Sequence, residues 1–396
     1  MKTAGIIAEY NPFHNGHAHH IQKTRDAGAQ AVVCVMSGCF VQRGEPAVML
    51  PKARAEMALK NGADLVISLP LPWSCAGAQT FAHGAVSLFD ALGCVDMLSF
   101  GSECGDIKVL KQAASAVDDY AVRENLKSNL LLGMNFASAR QSAIEDISPE
   151  VAHILSNPND TLAVEYIREL MLSNSSIEPF AVSRKGVEHD SEKVSESYAS
   201  ASLIRSILKD DKDASKLIPQ TAADILKSEV SKGQAPADIS RLETAILAKL
   251  RTMSAEDIAK SPDVSEGLEN RIYSAVREAT SLEELYSLAK TKRYSHARIR
   301  RVVMNTFLGV TSKDCEGEPP YIRVLGFTPT GRELLKTMKD SASLPIVMRA
   351  ADVSKLGERA KRIFSLEAAV ADIFALALPK PLPCGMEYTG EIIMAD

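Results

Sequence analysis

Five short, almost wholly apolar runs, set apart by stretches of helical period, fill the first 200 residues and leave few folds open. "TAGIIAE" (3–9), "AVVCVM" (31–36), "DLVISL" (64–69), "VDMLSF" (95–100) and "EPFAVSR" (178–184) have the length and composition of strands. Between them, 16–28, 52–62, 76–92 and 107–126 carry apolar residues at helix-compatible spacing. A strand that is apolar at nearly every position is buried on both faces, the condition of a parallel sheet covered by helices on either side. The expected fold is α/β, a Rossmann-like doubly wound parallel sheet.

From about residue 203 the strand signals stop. Helices are expected near 218–230, 239–252, 265–279, 282–290 and 296–308. A small α/β unit should follow "CEGEPP" (315–320), with strands at 321–327 and 344–348 and a helix that starts after "TPT". The chain then divides into 1–210, a helical region 211–312 and a small C-terminal unit 313–396. The segment 185–197, "KGVEHDSEKVSES", is polar and reads as a loop.

Composition narrows the setting. The seven cysteines never form a CxxC pair, which argues against a disulfide framework and structural zinc and for a reducing compartment. The chain has no 18-residue apolar stretch, and its first apolar run is too short for a signal peptide. A soluble cytoplasmic protein, without a membrane partner, is expected. The net charge of −5 gives no global pull on nucleic acid, so any such binding needs a local patch.

In an open parallel sheet, ligands sit outside the carboxyl ends of the strands, where a strand turns into a helix. "EYNPFHNGHAHH" (9–20) occupies that place after the first strand and holds His14, His17, His19 and His20. Three readings compete: a metal site, a polar turn, or a device for phosphates. A metal needs a third ligand, typically a carboxylate or cysteine at fixed spacing, and His14 and His17 alone are weak support for one. Bare backbone N–H groups at a helix start attract anions, and imidazoles add directed donors. Gly16 lets a phosphate come close to the backbone. His19 and His20 read as structural or surface residues on pattern alone.

"NPFHNGH" resembles the HxGH signature of the nucleotidyltransferase superfamily. "YASASLIRSIL" (198–208) resembles that superfamily's SSTxxR element, with Ser200, Ser202 and Arg205 at matching positions. Four further stretches are similar to the bacterial tRNA(Met) cytidine acetate ligase family: "VMSGCFVQRGEPAVMLPKARAEMAL" (35–59), "SFGSECGDI" (99–107), "SNPNDTLAVEYI" (156–167) and "KTKRYSHARIRRVVMNTFLG" (290–309). The likeness runs to about residue 350. Cys39, Ser68 and Asp160 depart from the family's pattern.

The resemblance implies that ATP, with Mg²⁺ bridging its triphosphate, activates acetate as acetyl-adenylate. The acetyl group then passes to the exocyclic amine of the wobble cytidine of elongator tRNA(Met), giving N4-acetylcytidine. It implies nucleotide contacts from Ile7, Glu9, Asn11, Pro12, Phe13, His14, Gly16, His17 and His20, and from Gly101, Asn157 and Arg184. His14 and His17 would serve the α- and β-phosphate oxygens, and Ser202 with Arg205 the departing pyrophosphate. Acetate itself attacks, so no cysteine is needed as an acyl carrier.

Ser37, Gln42 and Arg43 could frame acetate or cytidine, or belong to a structural Ω-like loop. Lys23 and Lys52 could reach phosphate or lie on solvated helix faces. The stretch 290–301 holds Lys290, Lys292, Arg293, Tyr294, Arg298, Arg300 and Arg301 and no acid, a local pattern suited to RNA phosphates, with Tyr294 able to stack on a base, or else a solvated basic helix face. Two other functions stay open on this reading. One is an adenylyltransferase making a small-molecule nucleotide cofactor, which has no use for 290–301. The other is a non-catalytic RNA-binding protein.

Overall fold

The structure is a computed structural model that describes residues 1–146, 148–183, 199–210 and 212–396. The expected 185–197 loop and Arg184 lie outside the described residues. Among the described residues ten short strands are numbered in chain order: β1 (Thr3–Ala8), β2 (Ala31–Ser37), β3 (Phe40–Val41), β4 (Glu45–Pro46), β5 (Leu65–Leu69), β6 (Met97–Ser102), β7 (Glu178–Ser183), β8 (Ile322–Phe327), β9 (Ile346–Val347) and β10 (Ile393–Met394). The five runs of the N-terminal half become β1, β2, β5, β6 and β7, all mutually parallel.

Among the described residues one sheet runs β10-β8-β5-β2-β1-β6-β7, with β9 paired to β8. Its apolar residues split by parity, as the pleat requires. Val33, Val35, Leu65 and Ile67 join the core cluster under helices Ala78–Leu92 and Pro158–Leu172. Val32, Cys34, Met36 and Val66 join the cluster under helices Pro51–Leu59 and Gln220–Ser231. Both faces are covered, so the sheet is doubly wound. From β1 the chain proceeds to β2 and β5 on one side, then returns to β6 and β7 on the other. That reversal between β1 and β6 is a topological switch point, where such folds take their ligands.

Helix signals are met with shifts at the boundaries. The 107–126 stretch divides into Ile107–Ala116 and Tyr120–Leu131, because the Asp119 carboxylate accepts from Ala121 N and starts a new helix. Helices Phe136–Glu145, Pro149–Ile154, Pro158–Leu172 and Glu358–Phe374 had not been read from the sequence. Helices Glu243–Thr252, Leu268–Glu278, Leu282–Ala289 and His296–Leu308 build a second core with Glu358–Phe374.

The strands of the last segment join the main sheet. β8 pairs antiparallel with β5, and β9 and β10 attach to β8. Near this edge Tyr321 donates its hydroxyl to Glu367 Oε2 at 2.5 Å, and Arg323 pairs with Glu387. Burial pushes the Glu367 carboxyl up from 4.5 to about 7, against the pull of the Arg323 cation and the Tyr321 hydrogen bond. The folded chain therefore holds a proton that the unfolded chain has already lost between pH 4.5 and 7. Stability from this group falls as pH rises through that window. Glu367→Gln is expected to raise the melting temperature above wild type at pH 8 and to leave it unchanged at pH 4.5. Equal shifts at both values, followed by circular dichroism, would remove the carboxyl as the cause.

Candidate active site

β1 ends in a tightly ordered turn. Tyr10 adopts a left-handed backbone (φ 44°) and the Asn11-Pro12 bond is cis. Asn11 is buried, and its Oδ1 accepts from Val48 N at 2.7 Å, which fastens the turn to the segment following the β3–β4 hairpin. The helix Asn15–Asp26 then begins with His14 at its N-cap.

The two histidines of the HxGH stretch cap each other. Gly16 N donates to His14 Nδ1 at 3.1 Å, and His14 N donates to His17 Nδ1 at 3.2 Å. Their rings stack with centroids 3.7 Å apart. Each Nδ1 lone pair is engaged by a backbone N–H, so in the neutral ring the proton sits on Nε2. Two Nε2–H donors are thereby fixed side by side at a helix N-terminus. Gly16 is required by the same geometry: a Cβ there would lie 2.9 Å from His14 Cε1. Tyr10 and Phe13 enclose His17, their ring centroids 4.9 and 5.5 Å from its own. Phe13 and Pro12 are buried and Ile7 is half-buried, so Phe13 serves the site by packing behind His17.

The second motif meets the first. Helix Ala201–Lys209 starts at Ser200, whose Oγ accepts from Leu203 N at 3.2 Å and lies 2.9 Å from Ser202 Oγ. Arg205 Nη1 donates to the Asn11 carbonyl at 2.9 Å, across 194 positions of sequence. Ser200, Ser202, Arg205, His14 and His17 thus gather at the end of β1.

On the other side of the switch point, His20 Nε2 lies 2.9 Å from Ser99 Oγ, and Ser99 Oγ lies 2.7 Å from Thr24 Oγ1. This ties the helix Asn15–Asp26 to β6, the strand that carries Gly101. Asp160 is fully buried and ringed by donors: Ser102 Oγ at 2.5 Å, Cys104 N at 3.1 Å and Asn157 Nδ2 at 3.1 Å. Glu103 in turn accepts from Asp160 N at 3.0 Å and from Asn159. The departure at Asp160 is thus built into a polar knot that holds Asn157 against the end of β6.

Arg54 was passed over in the sequence. Its side chain is buried, and its guanidinium donates to the carbonyls of Glu9, Ser37, Gly38 and Met49. It fastens together the carboxyl ends of β1 and β2. Burial pushes it down to about 10, which leaves it charged at neutral pH. The available signal was one cation inside "ARAEMA", among residues that would otherwise form a continuous apolar face.

The segment after β2 is structural at Cys39 and Phe40, which belong to the core of the helical region. Ser37 Oγ is buried without a partner, Gln42 N donates to Glu9 Oε1 at 3.0 Å, and Glu45 pairs with Arg300 at 3.3 Å. Burial pushes the Cys39 thiol well up and Cys34 up to about 12, so neither is a ready thiolate. Lys23 pairs with Asp26, and Lys52 lies beside Gly390 of the C-terminal tail.

The basic stretch differs most from its sequence reading. Tyr294 is buried, its hydroxyl donating to the Glu266 carbonyl, so its ring is part of the core and is not presented to a base. Arg298 donates to the Asp263 carbonyl at 2.9 Å and to Ser265 Oγ at 2.6 Å. Arg301 pairs with Asp263 at 3.2 Å, and Arg300 with Glu45. The acids come from other segments, which a local count of charges does not include. Lys290 and Lys292 are exposed.

Among the described residues no group of three or more His, Cys, Asp or Glu could hold a metal ion, and no helix is long and apolar enough to cross a membrane. The parallel sheet, the switch point and the stacked histidine pair facing a serine–arginine motif define a nucleotidyltransferase site. The sequence model of the HIGH Nucleotidyl Transferase family matches residues 1–385. The chain is 38% identical over 414 residues to a tRNA(Met) cytidine acetate ligase of Acetivibrio thermocellus, covering 100% of both chains. It is 41% identical to one of Caldicellulosiruptor saccharolyticus, covering 86% of each. The crystal structure of Thermotoga maritima TmcAL bound with alpha-thio ATP superposes with a TM-score of 0.93 at 30% identity, covering 100% of this chain and 99% of that one. The apo form gives 0.94 at 31%, with the same coverage. The chain belongs to the tRNA(Met) cytidine acetate ligase family.

Proposed function

We propose that this protein is an ATP-dependent ligase that joins acetate to the wobble cytidine of elongator tRNA(Met), forming N4-acetylcytidine. An acetate oxygen attacks the α-phosphorus of ATP, the bond to the β-phosphate's bridging oxygen breaks, and pyrophosphate leaves. The cytidine amine then attacks the acyl carbon of acetyl-adenylate, AMP departs, and the amine loses a proton. The observation that carries this reading is the Arg205–Asn11 hydrogen bond, which unites the two phosphate-facing motifs over β1.

Charge develops on the α-phosphate and the departing pyrophosphate, so donors fixed beforehand are the main aid to the first step. His14 and His17 serve the α- and β-phosphate oxygens through Nε2–H. Ser202 and Arg205 serve the leaving group. The turn from Ile7 to His20, with Gly101, Asn157 and Arg184, holds the nucleotide. Mg²⁺, where present, would arrive with ATP, since hard cations of this kind keep water and phosphate as ligands, and would add to the charge neutralisation that His14, His17, Ser202 and Arg205 supply. Residues 1–210 carry the nucleotide chemistry and 211–312 meet the tRNA, while 313–396 complete the sheet edge. The place of work is the cytoplasm, where tRNA and ATP are found together.

With radiolabelled acetate, ATP and bacterial tRNA, label is expected to enter RNA, with AMP and pyrophosphate released in step. ATP-dependent modification of a small molecule with no label in RNA would replace the ligase by an adenylyltransferase. tRNA binding without acetate-dependent AMP release would reduce it to a binding protein.

A further inference from the structure

The exposed corner between helices Tyr120–Leu131 and Phe136–Glu145 is unusual for its side chains. Leu131 is 85% exposed, Leu132 81% and Phe136 41%. Large apolar groups gathered in this way on a polar surface mark a place where something docks. The turn between the helices, with Gly133 at φ 86°, faces the start of the basic stretch across a cleft of about 490 Å³. Asn135 reaches over it, its Nδ2 donating to the Lys292 carbonyl at 3.4 Å.

The cleft is lined on one side by Leu132 and Met134 and on the other by Lys290, Lys292 and His296, with no acid. Arg293 stands beside Gly133. Among the described residues Lys290, Lys292 and Arg293 form no ion pair, in contrast to Arg298, Arg300 and Arg301. Nδ1 of His296 is buried without a partner. A cationic wall opposite an apolar one suits a chain with a regular row of negative charges and flat, partly apolar faces. That is the chemistry of a single-stranded nucleic acid.

We infer that an unpaired strand of the tRNA substrate beds in this cleft, phosphates on Lys290, Lys292 and Arg293, bases against Leu132 and Met134, with Leu131 and Phe136 on the adjoining exposed corner. The inference rests on the tRNA-ligase reading and moves the main RNA contact from the face of helix His296–Leu308 to the segment before it. The paired arginines of that helix hold the protein together, and the unpaired cations upstream hold the RNA.

The test uses the full chain and a tRNA(Met) transcript. The triple variant Lys290→Gln/Lys292→Gln/Arg293→Gln is expected to bind tRNA at least tenfold more weakly. Its log–log salt dependence should be shallower by about two to three, at roughly 0.7–0.9 per lost phosphate contact. Leu131→Ser/Leu132→Ser, at exposed positions that folding does not need, is expected to weaken binding severalfold with the slope unchanged. Acetate-dependent ATP–pyrophosphate exchange should match wild type in both. If both variants bind tRNA like wild type while wild type acetylates it, the cleft assignment is overturned and the ligase reading stands. If wild type neither binds nor acetylates tRNA, both fall together.

Discussion

His14→Asn is expected to slow acetate-dependent ATP–pyrophosphate exchange by about 100- to 1000-fold, the usual loss when one fixed donor to developing charge is removed. Melting temperature and tRNA affinity should stay close to wild type. The choice of asparagine follows from the double role of the ring. His14 is the N-cap of helix Asn15–Asp26, with Nδ1 accepting from Gly16 N. Asparagine is among the best N-caps, because its carbonyl oxygen accepts the same N–H, yet it is too short to reproduce Nε2–H. His14→Ala removes both roles and should also cost about 1 kcal/mol of stability. At His17 the matching variant is glutamine, which at the third helical position can still reach back to the cap N–H. Exchange within threefold of wild type in His14→Asn and His17→Gln would take the stacked pair out of the chemistry.

Arg54→Met should give the largest loss of stability of any single change near the site. The methionine stem fills part of the same space but donates nothing, leaving the carbonyls of Glu9, Ser37, Gly38 and Met49 short of a partner. Each buried acceptor so stranded costs about 1–3 kcal/mol, and water entering the gap recovers some of it. A net loss of at least about 3 kcal/mol corresponds to a fall in melting temperature of roughly 5 °C or more. Arg54→Lys should fall between the two, since an ammonium is a compact charge that cannot fork to separated acceptors. The ATP affinity of Arg54→Met should drop as well, because Glu9 and the turn after it lose their tie to β2. Melting at the wild-type temperature would show that the four carbonyls do not depend on this side chain.

The core of the fold was legible because it obeys periodicity. β1, β2, β5, β6 and β7 are apolar at nearly every position, and only burial on both faces produces that pattern. Helices Phe136–Glu145 and Pro158–Leu172 were missed for the opposite reason. Asn, Ser and Pro at their starts read as loop until a cap is recognised, as with Asn135 accepting from Ser138 N. The attachment of β8 to β5 joins residues more than 250 positions apart, which no local signal encodes. At the site, His14, Gly16 and His17 were legible as a motif. Their mutual capping was not, since it depends on which ring nitrogen faces which amide. Arg54 and Asp160 were hidden because buried polar residues are specified by partners distant in sequence. Tyr294 misled for the same reason: its hydroxyl finds Glu266, 28 positions away.

The hairpin of β3 and β4 has its own consequence. At its turn Gln42 N donates to Glu9 Oε1 beside the phosphate-facing segment, and Glu45, where β4 begins, pairs with Arg300 at 3.3 Å. At its tip Gly44 leaves no room for a Cβ, which would stand 2.8 Å from the Arg300 backbone. The segment after β1 and helix His296–Leu308 thus both fasten to one two-stranded hairpin. A shift of helix His296–Leu308 would have to carry this hairpin with it or break the Glu45–Arg300 pair, which ties the packing of the helical region to the segment that follows β1.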